Sequence, residues 1–288
     1  MKLIVLGSGG SEGIPAPFCN CKVCKGRDER CRGSYIIKTK NTSFLVEISP
    51  DFRQQQLKHH FPIDYLFISH AHDDHMRGLI ELRHIFLISK IKVKSIKMLI
   101  SQALYKRFLV PIKNPSLKAA ENELLKKQKE DMLEKEGTRY SYKSLLKKRK
   151  IIPHILQHYK KYHFDDFSIV LIKNTHGKTY SDGFLLESNN KKILYLGDAN
   201  KIGEKTQALI DEEHPNLLIA HVPYFYTSSK NTKKKDHLGI ETVSCLNAEK
   251  ILISHFSHKA GLTHKEILKE VSRYKNIIAA KDGLKLTI

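Results

Sequence analysis

Apolar residues alternate with small or polar ones in short runs along most of this chain, and the runs recur often enough to predict a sheet-rich fold. Strand-like segments fall at residues 2–6, 34–39, 43–48, 65–68 and 96–100, and again at 166–173, 183–188, 192–197, 216–220, 250–254 and 276–280. Between them the period lengthens to that of helices. Ser49 and Pro50 read as the cap and first position of a helix reaching Leu57. Leu79, Ile80, Leu82, Ile85 and Phe86 make one face of a helix over 76–87, and further helices fit 201–211, 239–246 and 263–274. Strands and helices in both halves predict an α/β fold of two sheets covered by helices.

Residues 102–163 break this rhythm. Lysine and glutamate dominate and strand signals are absent. Helices are predicted at 117–136, bounded by Pro115 and Gly137, and over 142–162 with an interruption at Pro153. The segment reads as a lysine-rich helical insertion into a single domain spanning 1–288.

Composition narrows the class. With 288 residues and 41% hydrophobic content, the chain can bury a substantial core. No apolar run approaches the ~20 residues of a membrane helix, and the opening Met1-Lys2-Leu3-Ile4-Val5-Leu6-Gly7 is too short for a signal peptide. The cytoplasm is therefore the expected location, without a membrane partner. The formal charge is +20, and residues 106–161 hold 16 Lys and Arg against 6 Asp and Glu. Such a stretch attracts phosphate-bearing ligands or nucleic acid, or forms a solvated lysine face. Three of the five cysteines crowd into Cys19-Asn20-Cys21-Lys22-Val23-Cys24, which points to metal binding more than to disulfides.

The densest chemistry lies in Ser69-His70-Ala71-His72-Asp73-Asp74-His75, directly after the strand at 65–68. His70, His72, Asp74 and His75 leave a strand end together, and imidazole with carboxylate suits zinc, manganese or iron. A two-metal hydrolytic site needs more ligands, and three candidates stand just past other strands: His176, Asp198 and His255. The turn Gly7-Ser8-Gly9-Gly10-Ser11-Glu12-Gly13-Ile14-Pro15 lacks the ending of a phosphate loop and reads as a structural turn lining a pocket.

This series resembles the ligand series of the metallo-β-lactamase fold hydrolases. Within them it is most similar to the phosphoribosyl 1,2-cyclic phosphate phosphodiesterases of bacterial phosphonate breakdown. The shared features are the glycine turn, the Cys19 to Cys24 cluster, Thr175-His176 before Gly183-Phe184-Leu185-Leu186-Glu187, and Ser254-His255-Phe256-Ser257-His258. The resemblance implies a four-layer αββα sandwich and a metal-dependent phosphodiesterase in which a hydroxide bridging two metal ions attacks phosphorus. His70, His72 and His176 would hold one divalent ion, zinc or manganese. Asp74, His75 and His255 would hold the second, and Asp198 would bridge both. Paired ions about 3.5–4 Å apart lower the pKa of a shared water and clamp a phosphoryl oxygen. His237 matches the family's general acid, although the residue equally suits a cap on the helix after it. Cys19, Cys21, Cys24 and His258 would complete a closed Cys₃His structural zinc site. Where the superfamily often has an aspartate followed by glycine, this chain has Glu47, which would have to support the ligands in its place.

The expected partner is a small or cyclic phosphodiester, nucleotides included, with nucleic acid less favoured and a homodimer as the candidate assembly. A ribonuclease Z-like nuclease or a cyclic nucleotide phosphodiesterase is the alternative within enzymes. A non-catalytic metal-binding protein like the B protein of pyrroloquinoline quinone biosynthesis is the alternative outside them. One fold hosts several hydrolytic reactions, so the preference for phosphodiesters rests on the resemblance and the charge.

Overall fold

The computed structural model describes residues 1–88, 94–109, 150–177, 179–227 and 237–288. Fourteen strands form two sheets among them. The first contains β1 (Lys2–Gly7), β2 (Ser34–Lys38), β3 (Ser43–Val46), β4 (Tyr65–Phe67), β5 (Ile96–Ser101), β6 (Ile151–Leu156) and β14 (Lys285–Thr287), in the order β14-β1-β2-β3-β4-β5-β6. The second contains β7 (Lys161–Phe164), β8 (Phe167–His176), β9 (Thr179–Ser188), β10 (Lys191–Gly197), β11 (Leu217–His221), β12 (Ile251–Ser254) and β13 (Ile277–Ala279), in the order β13-β12-β11-β10-β9-β8-β7.

The period-two pattern decides which side chains meet. Leu3, Val5, Tyr35, Ile37, Phe44, Val46, Tyr65 and Phe67 turn inward and pack with Phe167, Phe184, Tyr195 and Ile219 of the second sheet. Phe67 and Phe184 meet edge to face with centroids 4.8 Å apart. The alternate residues Leu6, Ile36, Leu45 and Leu66 face outward under α1 (Phe52–His59), α3 (Leu79–Arg83) and α4 (Gln102–Leu109), whose Phe52, Leu79, Leu82 and Leu104 close that layer. On the second sheet α5 (Glu204–Glu213), α6 (Ile240–Val243) and α7 (His264–Val271) bury Ile210, Ile240, Val243, Ile267 and Val271. The result is the expected αββα sandwich. Among the described residues no helix is long and apolar enough to cross a membrane.

Several boundaries differ from the sequence expectations. The helix expected over 142–162 is replaced, where described, by β6 and β7. β6 runs parallel to β5 with Ile96 opposite Ile151, and Pro153 opposite Met98 is tolerated because β6 is an edge strand. The predicted helix at 117–136 lies outside the described residues. The helix expected over 76–87 is instead α3 followed by one π turn, His84–Ile88, and is preceded by the short α2 (Asp73–Met76). The cap of α1 is Asp51 rather than Ser49, whose hydroxyl accepts the Asp51 N–H at 3.3 Å and whose carbonyl accepts the Phe52 N–H, so Ser49 and Pro50 form the turn before the helix. At α7 the start is sharp: Thr263 and Glu266 make a reciprocal capping box.

Candidate metal centre

Strand ends from both sheets converge on one cavity. β4 delivers Ser69 and His70, and α2 opens at His72, the residue before its first turn. Asp73 and Asp74 occupy that first turn, where exposed N–H groups favour carboxylates. From the second sheet, β8 ends on His176, Asp198 follows β10, and His255 follows β12.

Asp198 is the hub. Its Oδ2 lies 3.7 Å from His70 Nε2, 3.5 Å from His75 Nε2 and 3.6 Å from His176 Nε2. The candidate ligand atoms of His70, His72, His176 and Asp198 all fall within 4.8 Å of one another, and a second group of His75, Asp198, His221 and His255 does the same. Asp74 stands beside the second group, its Oδ2 3.3 Å from His75 Nε2 and 3.6 Å from His255 Nε2. The structure thus brings together all seven residues expected at the binuclear site. His72 is exposed, and the other six are buried.

The donor set fits a cation. Buried nitrogens without a hydrogen-bond partner include His70 Nε2 and His75 Nε2, both beside Asp198, and burial leaves such atoms unsatisfied only at a cost. Burial raises the Asp198 and Asp74 carboxyls, yet the neighbouring imidazoles, His255 and His237 at Asp198 and His75 at Asp74, outweigh it and hold both below the usual range. Burial alone would lower His75, but Asp74, Glu47 and Asp198 surround it and raise it well above the ordinary histidine value. Three carboxylates around one ring call for positive charge. His70 and His72, by contrast, are pushed down, chiefly by burial and then by neighbouring histidines, as neutral ligands require.

Glu47 supports this arrangement from behind. Fully buried, it accepts the Ser69 N–H at 3.2 Å and the Tyr195 hydroxyl at 2.9 Å, and its Oε2 lies 3.4 Å from His75 Nδ1. It sits at φ 59°, as His255 sits at φ 67°. Left-handed backbone at residues other than glycine costs about 1–3 kcal/mol and persists where packing over-determines it, often at functional sites.

The cavity has a volume of about 750 Å³ and is lined by His72, Asp74, His176, Asp198, His237 and His255, with Ser11, Asn200 and Tyr224. His237 Nδ1 is 3.9 Å from Asp198 Oδ1, and its ring packs 4.9 Å from that of His176. Burial pushes His237 down to about 4, against the pull of Asp198, so without a bound anion the ring is neutral at pH 7. The glycine-rich turn shapes one wall. A Cβ at Gly7 would lie 2.0 Å from the Arg32 carbonyl, and one at Gly10 would lie 3.2 Å from the His255 carbonyl.

A second cluster gathers Cys19, Cys21, Cys24 and His258, with candidate ligand atoms again within 4.8 Å of one another. His258 Nδ1 is 3.3 Å from Cys19 Sγ and 3.6 Å from Cys21 Sγ. The Cys24 backbone N–H and His258 lower Cys21 to about 6, whereas burial lifts Cys24 to about 11. Phe256 and Ser257 alone separate His255 from His258.

Sequence reasoning missed His221, placing it one residue beyond its strand. Yet Leu217-Leu218-Ile219-Ala220-His221 repeats the pattern of Ile251-Leu252-Ile253-Ser254-His255 on the adjacent parallel strand, with His221 opposite Ser254.

Known proteins resemble this chain in sequence or in fold. A curated octanoyltransferase of Porphyromonas gingivalis is 42% identical over 90 residues, covering 30% of this chain, which spans about a fifth (18%) of that relative's length. A diphosphatase of the PhnP family has a similar structure, with a TM-score of 0.73 at 22% identity over 100% of this chain and 97% of the other. Zinc-bound PqqB from Methylobacterium extorquens superposes with a TM-score of 0.71 at 15% identity over 100% of both chains. The profile of the metallo-beta-lactamase superfamily matches residues 34–245, the span that carries the histidine turn, His176 and Asp198, and the chain belongs to that superfamily.

Proposed function

We propose that this protein is a metal-dependent phosphodiesterase acting on a small or cyclic phosphodiester. The observation that carries this reading is the sharing of Asp198 between two donor groups that open on one cavity together with His237. His70, His72 and His176 would hold one divalent ion, zinc or manganese, and Asp74, His75 and His255 the other, with Asp198 common to both groups. When bound, such a pair activates a water and neutralises charge at a phosphoryl group. His237 then supplies a proton to the leaving oxygen. Its neutral ring gains that proton when a phosphate anion seats beside it, because a nearby negative charge favours the imidazolium. The likeness to a diphosphatase of the PhnP family and the net charge of +20 support a phosphorus substrate. Cys19, Cys21, Cys24 and His258 hold a separate zinc with no position left for substrate.

Manganese- or zinc-loaded protein is expected to hydrolyse bis-(p-nitrophenyl) phosphate, and His72→Ala with Asp198→Ala to abolish turnover. His237→Ala is expected to lower kcat about 10²–10⁴-fold with metal content unchanged. Phosphoribosyl cyclic phosphate, cyclic nucleotides and precursor tRNA, compared under one condition, rank the substrate classes. A fully metallated protein inert toward all of them would sink the phosphodiesterase reading and leave a non-catalytic metal-binding role.

A further inference from the structure

His221 has no part in the chemistry above, yet it touches the hub of the site. It is fully buried at the end of β11, its ring stacked on that of His255 at 4.5 Å and 6°. Both ring nitrogens are engaged. Nδ1 lies 2.6 Å from Asp198 Oδ1, and Nε2 lies 3.0 Å from the Tyr35 hydroxyl.

Donor and acceptor rules fix the direction of this chain. A carboxylate only accepts, so His221 Nδ1 carries the proton that bonds to Asp198. An imidazolium would oppose the cations that Asp198 is suited to bind, so the ring is neutral and Nε2 is the acceptor. The Tyr35 hydroxyl therefore donates. Tyr35 is itself fully buried, and burial raises its phenol, which keeps its proton. No lone pair on His221 is left for an ion, although its position among His75, Asp198 and His255 would otherwise suit a ligand.

We propose that Tyr35 and His221 form a buried relay that positions Asp198. By holding Oδ1 in a hydrogen bond, they turn Oδ2 into the space between His70, His75 and His176, 3.5–3.7 Å from each, where one oxygen can serve two cations. Groups that orient a ligand from behind fix its geometry and raise metal affinity. Tyr35 and His221 are positioning residues. The inference rests on the metal-centre part of the reading above and is independent of the substrate.

Manganese is the probe, because thiolate sites disfavour it relative to imidazole and carboxylate. Titration of the metal-free protein with Mn(II), followed by electron paramagnetic resonance, is expected to show His221→Leu binding about 10–100-fold more weakly. His221→Asn, whose amide N–H can reach Asp198 from the Nδ1 position, recovers most of that loss, and Tyr35→Phe gives a smaller weakening. In ¹⁵N-histidine spectra the wild type shows His221 as the Nδ1–H tautomer, and Tyr35→Phe mixes the tautomers. The melting point of each metal-free variant separates packing damage from positioning. Wild-type manganese affinity in His221→Leu, or an Nε2–H tautomer in the wild type, overturns the relay. So does a His221→Asn variant as weak as His221→Leu beside an unaffected Tyr35→Phe, the pattern of a direct ligand. Weakened manganese binding in a protein that cleaves no phosphodiester would leave the relay standing and remove only the substrate assignment.

Discussion

Two clusters of metal-capable side chains stand out among the described residues, and they are built to opposite designs. The centre around Asp198 is assembled from strand ends of both sheets, is almost wholly buried, and opens on a cavity of about 750 Å³. The cluster around Cys21 comes from one short loop and one 3-10 turn and is half-buried. Imidazole and carboxylate at an open site leave room for water and substrate, whereas three thiolates and an imidazole close a tetrahedron. The function proposed above uses the first for chemistry and the second for bracing.

The strongest way to break this contrast is to remove a carboxylate from the open centre. Asp74→Ala is expected to lower kcat/KM by about 10³-fold or more, since charge stabilisation at the reacting group supplies several kcal/mol. Metal analysis should show less metal at that centre and the cysteine-bound zinc retained. Near-normal turnover would mean that Asp74 is only a neighbour. The next test acts on the cysteines. Cys21→Ser is expected to lower the melting temperature by roughly 5–10 °C, about 2–3 kcal/mol for a domain of this size, while kcat per folded molecule stays within about threefold. An unchanged melting curve with collapsed turnover would reverse the two roles. The smallest effect concerns the cysteines outside the cluster. Burial, with Asp282 and Asp51, pushes the Cys31 thiol up to about 12, while Cys245 is exposed. In zinc-loaded protein at pH 8, iodoacetamide should modify Cys245 and spare Cys31, read by mass spectrometry, because the thiolate is the nucleophile. Rapid labelling of Cys31 would show that its surroundings open.

Much of this architecture is legible in the sequence because it is local. The histidine turn is a short run of ligands after an apolar strand, and His176, Asp198 and His255 each follow another such strand. What escapes is set by contacts distant in sequence. β6 sits in lysine-rich surroundings and gains its order from pairing with β5, with Ile96 opposite Ile151; β7 is the local exception, a half-exposed strand in a hairpin with β8 whose composition carries little strand signal. β14 is a three-residue strand defined only by its partner β1. His221 only repeats the strand-end pattern of His255, and its partner Tyr35 lies 186 residues away. Glu47 could be picked out as a departure from the family pattern, but not its contacts with Ser69, Tyr195 and His75, which depend on three separate strand ends meeting.

His255 and His258 share one stretch of backbone, pinned by the Phe256 N–H to the Ser8 carbonyl and by the Gly10 N–H to the Phe256 carbonyl. A zinc held by the thiolates would fix the segment that presents His255, and whatever this lends to the hydrolytic centre is returned to the cysteine site by the same factor.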